Sequence, residues 1–154
     1  MAVTSSRVLL FVFVVGALGL VAGSAPVAAQ EQVTFVDENV TEDTTWAATD
    51  GPYRVVTNVT VSPGATLRIQ NGSTVEVAEG VTISVAGTLL ANGTTEAPIR
   101  FVGSGSDPVA GDWGAIHTVG TEAATVSLSN VELSHATHAV EVSNADSEVR
   151  LDSV

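Results

Sequence analysis

From Val55 onward the chain alternates apolar and polar residues in short runs: Leu67-Arg68-Ile69, Val75-Glu76-Val77, Ile83-Ser84-Val85, Ile99-Arg100-Phe101, Val126-Ser127-Leu128, Val131-Glu132-Leu133, Val140-Glu141-Val142 and Val149-Arg150-Leu151. Alternation of period two on β-branched residues marks strands with one face buried and the other solvated. The pattern therefore sends Arg68, Glu76, Ser84, Arg100, Glu132, Glu141 and Arg150 outward. No stretch beyond the first thirty residues carries a convincing helical period. Gly64, Gly72, Gly80, Gly87 and Gly93 cut the runs at short, regular intervals, and Asn71-Gly72 and Asn92-Gly93 are pairs that readily take positive φ. The expected class is all-β, with strands of three to five residues.

Internal repetition separates hairpins from a one-way winding. Val126-Ser127-Leu128-Ser129-Asn130-Val131 matches Val149-Arg150-Leu151-Asp152-Ser153-Val154 at a shift of 23, with Val, Leu and Val in identical places. A period in the low twenties suits one turn of a right-handed, single-stranded parallel β-helix, in which like side chains stack ~4.8 Å apart. Earlier, Leu67/Ile69, Ile83/Val85 and Ile99/Phe101 match at a shift of 16, which reads as tighter first coils or a capping hairpin. A β-sandwich or jelly roll is the alternative built from the same strand lengths.

Three segments are expected: a leader at 1–29, a polar lead-in at 30–50 and the solenoid at 51–154. The leader is an apolar run from Val8 to Ala22 behind Arg7, followed by Gly23-Ser24-Ala25-Pro26-Val27-Ala28-Ala29, small residues that suit a signal peptidase cutting after Ala29. The run falls short of the ~20 residues that cross a bilayer, so no stable membrane span is expected after cleavage. The lead-in is rich in Thr, Asp and Glu and gains order near Trp46. At the other end the last coil is expected to be incomplete at Val154, and the sequence reads as a fragment whose open coil invites self-association.

Charge narrows the partners. The seventeen acidic residues face four arginines once Arg7 leaves with the leader, a formal charge of −13, and there is no lysine. Such a chain repels nucleic acid and anionic lipid. The same composition is similar to that of proteins from salt-loving archaea, where a Debye length of a few ångström relieves self-repulsion. Without cysteine the exported fold has no disulfides.

Trp46, Pro52-Tyr53, Val61-Ser62-Pro63-Gly64-Ala65-Thr66-Leu67-Arg68-Ile69, the run from Ile83 to Thr94, Pro98-Ile99-Arg100-Phe101 and Asp112-Trp113-Gly114-Ala115-Ile116 together resemble secreted right-handed parallel β-helix repeat proteins of the pectate-lyase-like superfamily. The resemblance spans about residues 46–154. It implies the fold; it does not choose among the lyases, hydrolases, adhesins and surface proteins that share it.

Candidate chemistry is sparse. Asp107 and Asp112 lie in the loop Gly103 to Asp112, and Asp146, Glu148 and Asp152 near the end, without a recognisable catalytic motif. A lyase needs a carboxylate cluster beside an Arg or Lys base, and a hydrolase needs paired carboxylates. His117, His135 and His138 are the only imidazoles, and the spacing of the last two has no ligand meaning in a turn. No catalytic, cofactor or metal residue is assigned. Trp113 is expected to pack on the solenoid, with a sugar-stacking platform as the alternative. Asn39, Asn58, Asn71 and Asn92 each head an Asn-X-Ser/Thr sequon and are candidate glycosylation acceptors.

The expected function is a non-catalytic module of the cell surface or extracellular space, contacting a polysaccharide or a surface protein through its outward faces and the 103–112 loop. The alternative is the N-terminal part of a carbohydrate-active enzyme whose catalytic coils lie beyond Val154.

Overall fold

A computed structural model describes residues 32–154; the leader expected at 1–29 lies outside the described residues. Fourteen strands wind through five coils. The first coil holds β1 (Thr34–Val36) and β2 (Thr44–Trp46), and the second β3 (Tyr53–Val55), β4 (Val59–Val61) and β5 (Thr66–Ile69). The third holds β6 (Thr74–Val77), β7 (Ile83–Val85) and β8 (Thr88–Asn92), and the fourth β9 (Ile99–Gly103), β10 (Ile116–Thr118) and β11 (Thr125–Ser129). The fifth is β12 (Val131–Leu133), β13 (Val140–Val142) and β14 (Glu148–Asp152).

From β2 to β11, each strand pairs with the third one after it, and β1 pairs with β3. Sheet A runs β1-β3-β6-β9-β12, sheet B runs β4-β7-β10-β13, and sheet C runs β2-β5-β8-β11-β14. All eleven strand pairings are parallel. In the first coil an isolated parallel bridge from Val40 to Val61 stands where sheet B would have its strand. The molecule is a right-handed parallel β-helix, and its parallel ladders exclude the sandwich, whose strands would meet through antiparallel hairpins.

Val126 pairs with Val149 and Leu128 with Leu151, as the 23-residue repeat predicts. The 16-residue match does not correspond to a coil. Leu67, Ile83 and Ile99 lie in β5, β7 and β9, which belong to sheets C, B and A, so their likeness is that of neighbouring walls. Leu67 instead pairs with Leu89, and Arg54 bonds Glu76 at a separation of 22 residues, so these early coils are of ordinary length and contain no hairpin.

Two boundaries also shift. The polar lead-in supplies β1 and β2, each the outermost strand of its sheet, so the helix begins before residue 51. An end rung buries only one side, which explains its sparse apolar content. The last coil has a strand in each sheet, and its inner side chains are uncovered: Val142 and Leu151 are 51% and 53% exposed, whereas Val85 and Ala91 two coils below are fully buried.

The core is a set of columns. Val59, Ile83, Ile116 and Val140 stack in sheet B, and Leu67, Leu89, Val126 and Val149 in sheet C. Facing them, Tyr53, Val75, Phe101 and Leu133 stack in sheet A. Corners are held by side chains that continue the ladder. Asn39 Oδ1 accepts from Thr60 N at 2.8 Å, Asn58 Oδ1 from Thr82 N at 2.9 Å, and Asp43 Oδ1 from Thr66 N at 2.9 Å. Gly87 is required where the chain passes from sheet B to sheet C, because a Cβ there would collide with the carbonyl oxygens of Ser62 and Ala65.

Candidate functional site

The outer face of sheet A carries two of the three arginine–carboxylate pairs among the described residues. Strand alternation turns Phe35, Arg54, Glu76 and Val102 outward in one cross-strand row, and Thr74, Arg100 and Glu132 in the next. Arg54 donates from Nε to Glu76 Oε2 at 2.7 Å, and its guanidinium lies 5.9 Å from the centre of the Phe35 ring. Arg100 Nε donates to Glu132 Oε2 at 2.7 Å. The first ion pair is the better shielded, with side chains 35% and 21% exposed against 51% and 59% for the second. Phe35 is 62% exposed, so one side of the molecule presents an aromatic ring beside two arginine–glutamate pairs.

Two surface clefts border this face. The cleft on the side where the chain arrives from sheet C has a volume of about 410 Å³ and is lined by Ala48, Gly51, Pro52, Gly72, Thr74 and Glu76. The other, of about 310 Å³, lies where the chain leaves for sheet B and is lined by Glu79, Ser104, Gly105, Ser106, Asp107 and Asp112. Its wall is the long corner between β9 and β10. Asp112 fastens that corner: its Oδ2 accepts from Val109 N at 2.8 Å and its carbonyl accepts from Gly80 N at 2.7 Å. Trp113 anchors the far end, fully buried, with Nε1 donating to Ser134 O at 2.8 Å. Trp113 is thus a packing residue, and the sugar-platform alternative for it is excluded by burial.

Of the acids singled out from sequence, Asp107 and Asp112 share the second cleft, where they are joined by Glu79 from the coil below. Glu79 was not singled out, and only the coil register places it there. Asp146, Glu148 and Asp152 lie elsewhere, in the fifth coil. Asp146 sits in the turn before β14, with its N–H donating to Asn144 Oδ1 at 2.9 Å. Glu148 meets Arg150 of its own strand at 3.2 Å, both well exposed.

The imidazoles are scattered. His117 lies on the outer face of sheet B between Ser84 and Glu141, with Nε2 2.5 Å from Ser143 Oγ. His135, at φ 66°, takes the Gly103 N–H on Nδ1 at 3.4 Å. His138 is exposed at the same corner. Among the described residues no three His, Asp or Glu side chains converge as a metal site. All four sequon asparagines are exposed.

Chemically, the sheet A face can offer a stacking surface, hydrogen bonds and paired charges. In cross-strand register Glu76 lies between Arg54 and Val102, and Glu132 lies against Arg100. Neither faces another carboxylate along its row, so the row does not form the acid and base pair of glycoside hydrolysis.

No curated protein and no solved structure matches the chain significantly. A family model does: the pectate-lyase like beta helix domain matches residues 38–150, from the end of β1 into β14. Its match takes in the greater part of the five coils, and the chain belongs to the pectate-lyase-like β-helix domain family.

Proposed function

We propose that the chain is an exported, non-catalytic surface module that holds an extended polysaccharide along the outer face of sheet A. The observation that carries this reading is that the two clefts border that one face, one where the chain enters sheet A and one where it leaves. A small ligand is usually held in an enclosed pocket. An open face with polar clefts on each side, charges that recur at rung steps of ~4.8 Å and an exposed ring suits a linear polymer instead. The guanidiniums of Arg54 and Arg100 already bind Glu76 and Glu132, and the second cleft is acidic, which favours an uncharged polymer over an anionic one.

Binding of neutral polysaccharides, followed by affinity electrophoresis or calorimetry, tests the proposal. Phe35→Ala is expected to weaken binding about tenfold through loss of ring stacking, whereas Ser84→Ala on sheet B leaves it unchanged. Equal affinity of both variants and the parent chain contradicts the assigned face. Release of reducing or unsaturated ends from any bound polymer contradicts the non-catalytic part and favours an enzyme.

A further inference from the structure

We infer that Asn92 is the single N-glycosylation acceptor of the folded chain, and that the other three sequons are closed by the fold. A transferase that reads Asn-X-Ser/Thr must reach both the asparagine amide and the hydroxyl two residues on, so the tripeptide has to lie on an accessible segment that can leave its neighbours. Asn39-Val40-Thr41 fails this requirement. Val40 is buried, its N–H donates to Thr60 O and its carbonyl takes the Ser62 N–H, while Asn39 itself holds Thr60 N. Asn58-Val59-Thr60 fails for the same reason: Val59 is 1% exposed, Thr60 is inside β4, and Asn58 holds Thr82 N. In Asn71-Gly72-Ser73 the asparagine is exposed, but Ser73 is 1% exposed and its hydroxyl points at Trp46 O.

Asn92-Gly93-Thr94 differs at the two side chains that the transferase must reach. Asn92 ends β8 and is exposed, Thr94 is exposed, and the chain then runs through a surface turn to β9. Thr94 Oγ1 only accepts, from Ala97 N at 3.0 Å, and stays at the surface. The backbone is tied by the Gly93 N–H to Ser129 O at 2.8 Å, by Asn130 Nδ2 donating to Gly93 O at 3.3 Å and by the Thr94–Ala97 turn, but none of these bonds engages the Asn92 amide. In three sequons the central residue or the hydroxyl is buried, whereas in the fourth the asparagine and the threonine both stay at the surface. This inference concerns accessibility and is independent of polysaccharide binding; in the cell it requires export.

The purified full chain, folded and urea-unfolded in parallel and then returned to dilute buffer for assay, is treated with a single-subunit oligosaccharyltransferase and a lipid-linked oligosaccharide. Glycopeptides are mapped by mass spectrometry. The folded chain is expected to show a mass shift of one glycan, on the peptide containing Asn92, and to lose it in Asn92→Gln and Thr94→Ala but keep it in Thr94→Ser. Chain modified before it refolds is expected to carry glycan at further sequons. A glycan on Asn39, Asn58 or Asn71 of the folded chain overturns the inference, and so does a folded chain without glycan at Asn92, whatever the unfolded sample shows.

Discussion

Leu89 lies fully enclosed between Leu67 of the coil before and Val126 of the coil after, while Leu90, the next residue, is turned outward on the same strand. Burial, not residue type, sets the value of each. Leu89→Ala is expected to destabilise the fold by about 2–5 kcal/mol through lost burial and a residual cavity, and Leu90→Ala by less than about 1 kcal/mol; urea unfolding of the two variants measures the contrast. Tyr53, the single tyrosine, stacks on Trp46 at 4.9 Å and donates its hydroxyl to Ala47 O. Burial raises its pKa above 10.0, the Ala47 bond partly opposes this, and Asp50 adds to the rise. A phenol whose folded pKa is raised contributes stability that is present below the unfolded pKa and lost as pH climbs through the folded one. Ultraviolet titration should therefore find the phenolate forming above pH 10.0 in the folded chain, with stability declining over that alkaline range. A titration at or below 10.0 contradicts its burial. Which residues point inward was legible from alternation alone, since Val126, Leu128, Ile83 and Val85 are buried as their period demands. Glu79 was not legible as part of a cleft, because its neighbours there come from the next coil.

At the scale of the element, strands were easier to read than corners. Period-two alternation tells inside from outside but not which of three walls a strand joins, and for that reason Leu67, Ile83 and Ile99 looked like one repeat when they occupy three sheets. Corner length carries the missing information. The passage from sheet A to sheet B takes residues 78–82 in the third coil and 104–115 in the fourth, so the spacing from β7 to β10 exceeds that from β4 to β7. The first coil was hidden for a different reason: Thr34, Thr44 and Thr45 belong to strands that have a partner on one side only among the described residues, where burial imposes little apolar patterning. Two of the sequon asparagines, Asn39 and Asn58, hold corners, a role that needs the oxygen of the side chain and not its amide nitrogen. Asn58→Ala should cost about 1 kcal/mol by removing the acceptor for Thr82 N, and Asn58→Asp distinctly less, as thermal melting would register. Equal losses in the two variants contradict the corner bond.

Across the whole molecule, charge and winding act together. Residues 30–154 have a formal charge of −13, and only three arginine–carboxylate pairs occur among the described residues, so repulsion is left largely uncompensated. Raising salt from 0.1 M to 1 M shortens the Debye length from about 10 Å to about 3 Å, and the melting temperature is expected to rise across that interval; a temperature that is unchanged or falls contradicts the electrostatic part of the account. The winding itself can be tested without disturbing native thiols, because the chain has no cysteine. Spin labels at Ser127→Cys and Arg150→Cys occupy paired outward positions of β11 and β14, one rung apart. Labels at Ser127→Cys and Glu132→Cys occupy β11 and β12, successive strands that lie in different sheets and that a hairpin would instead bring together. A one-way helix predicts strong dipolar broadening for the first pair and weak broadening for the second. The reverse order would mean that successive strands fold back on each other, and the coils, the sheet A face and the function drawn from it would fall together.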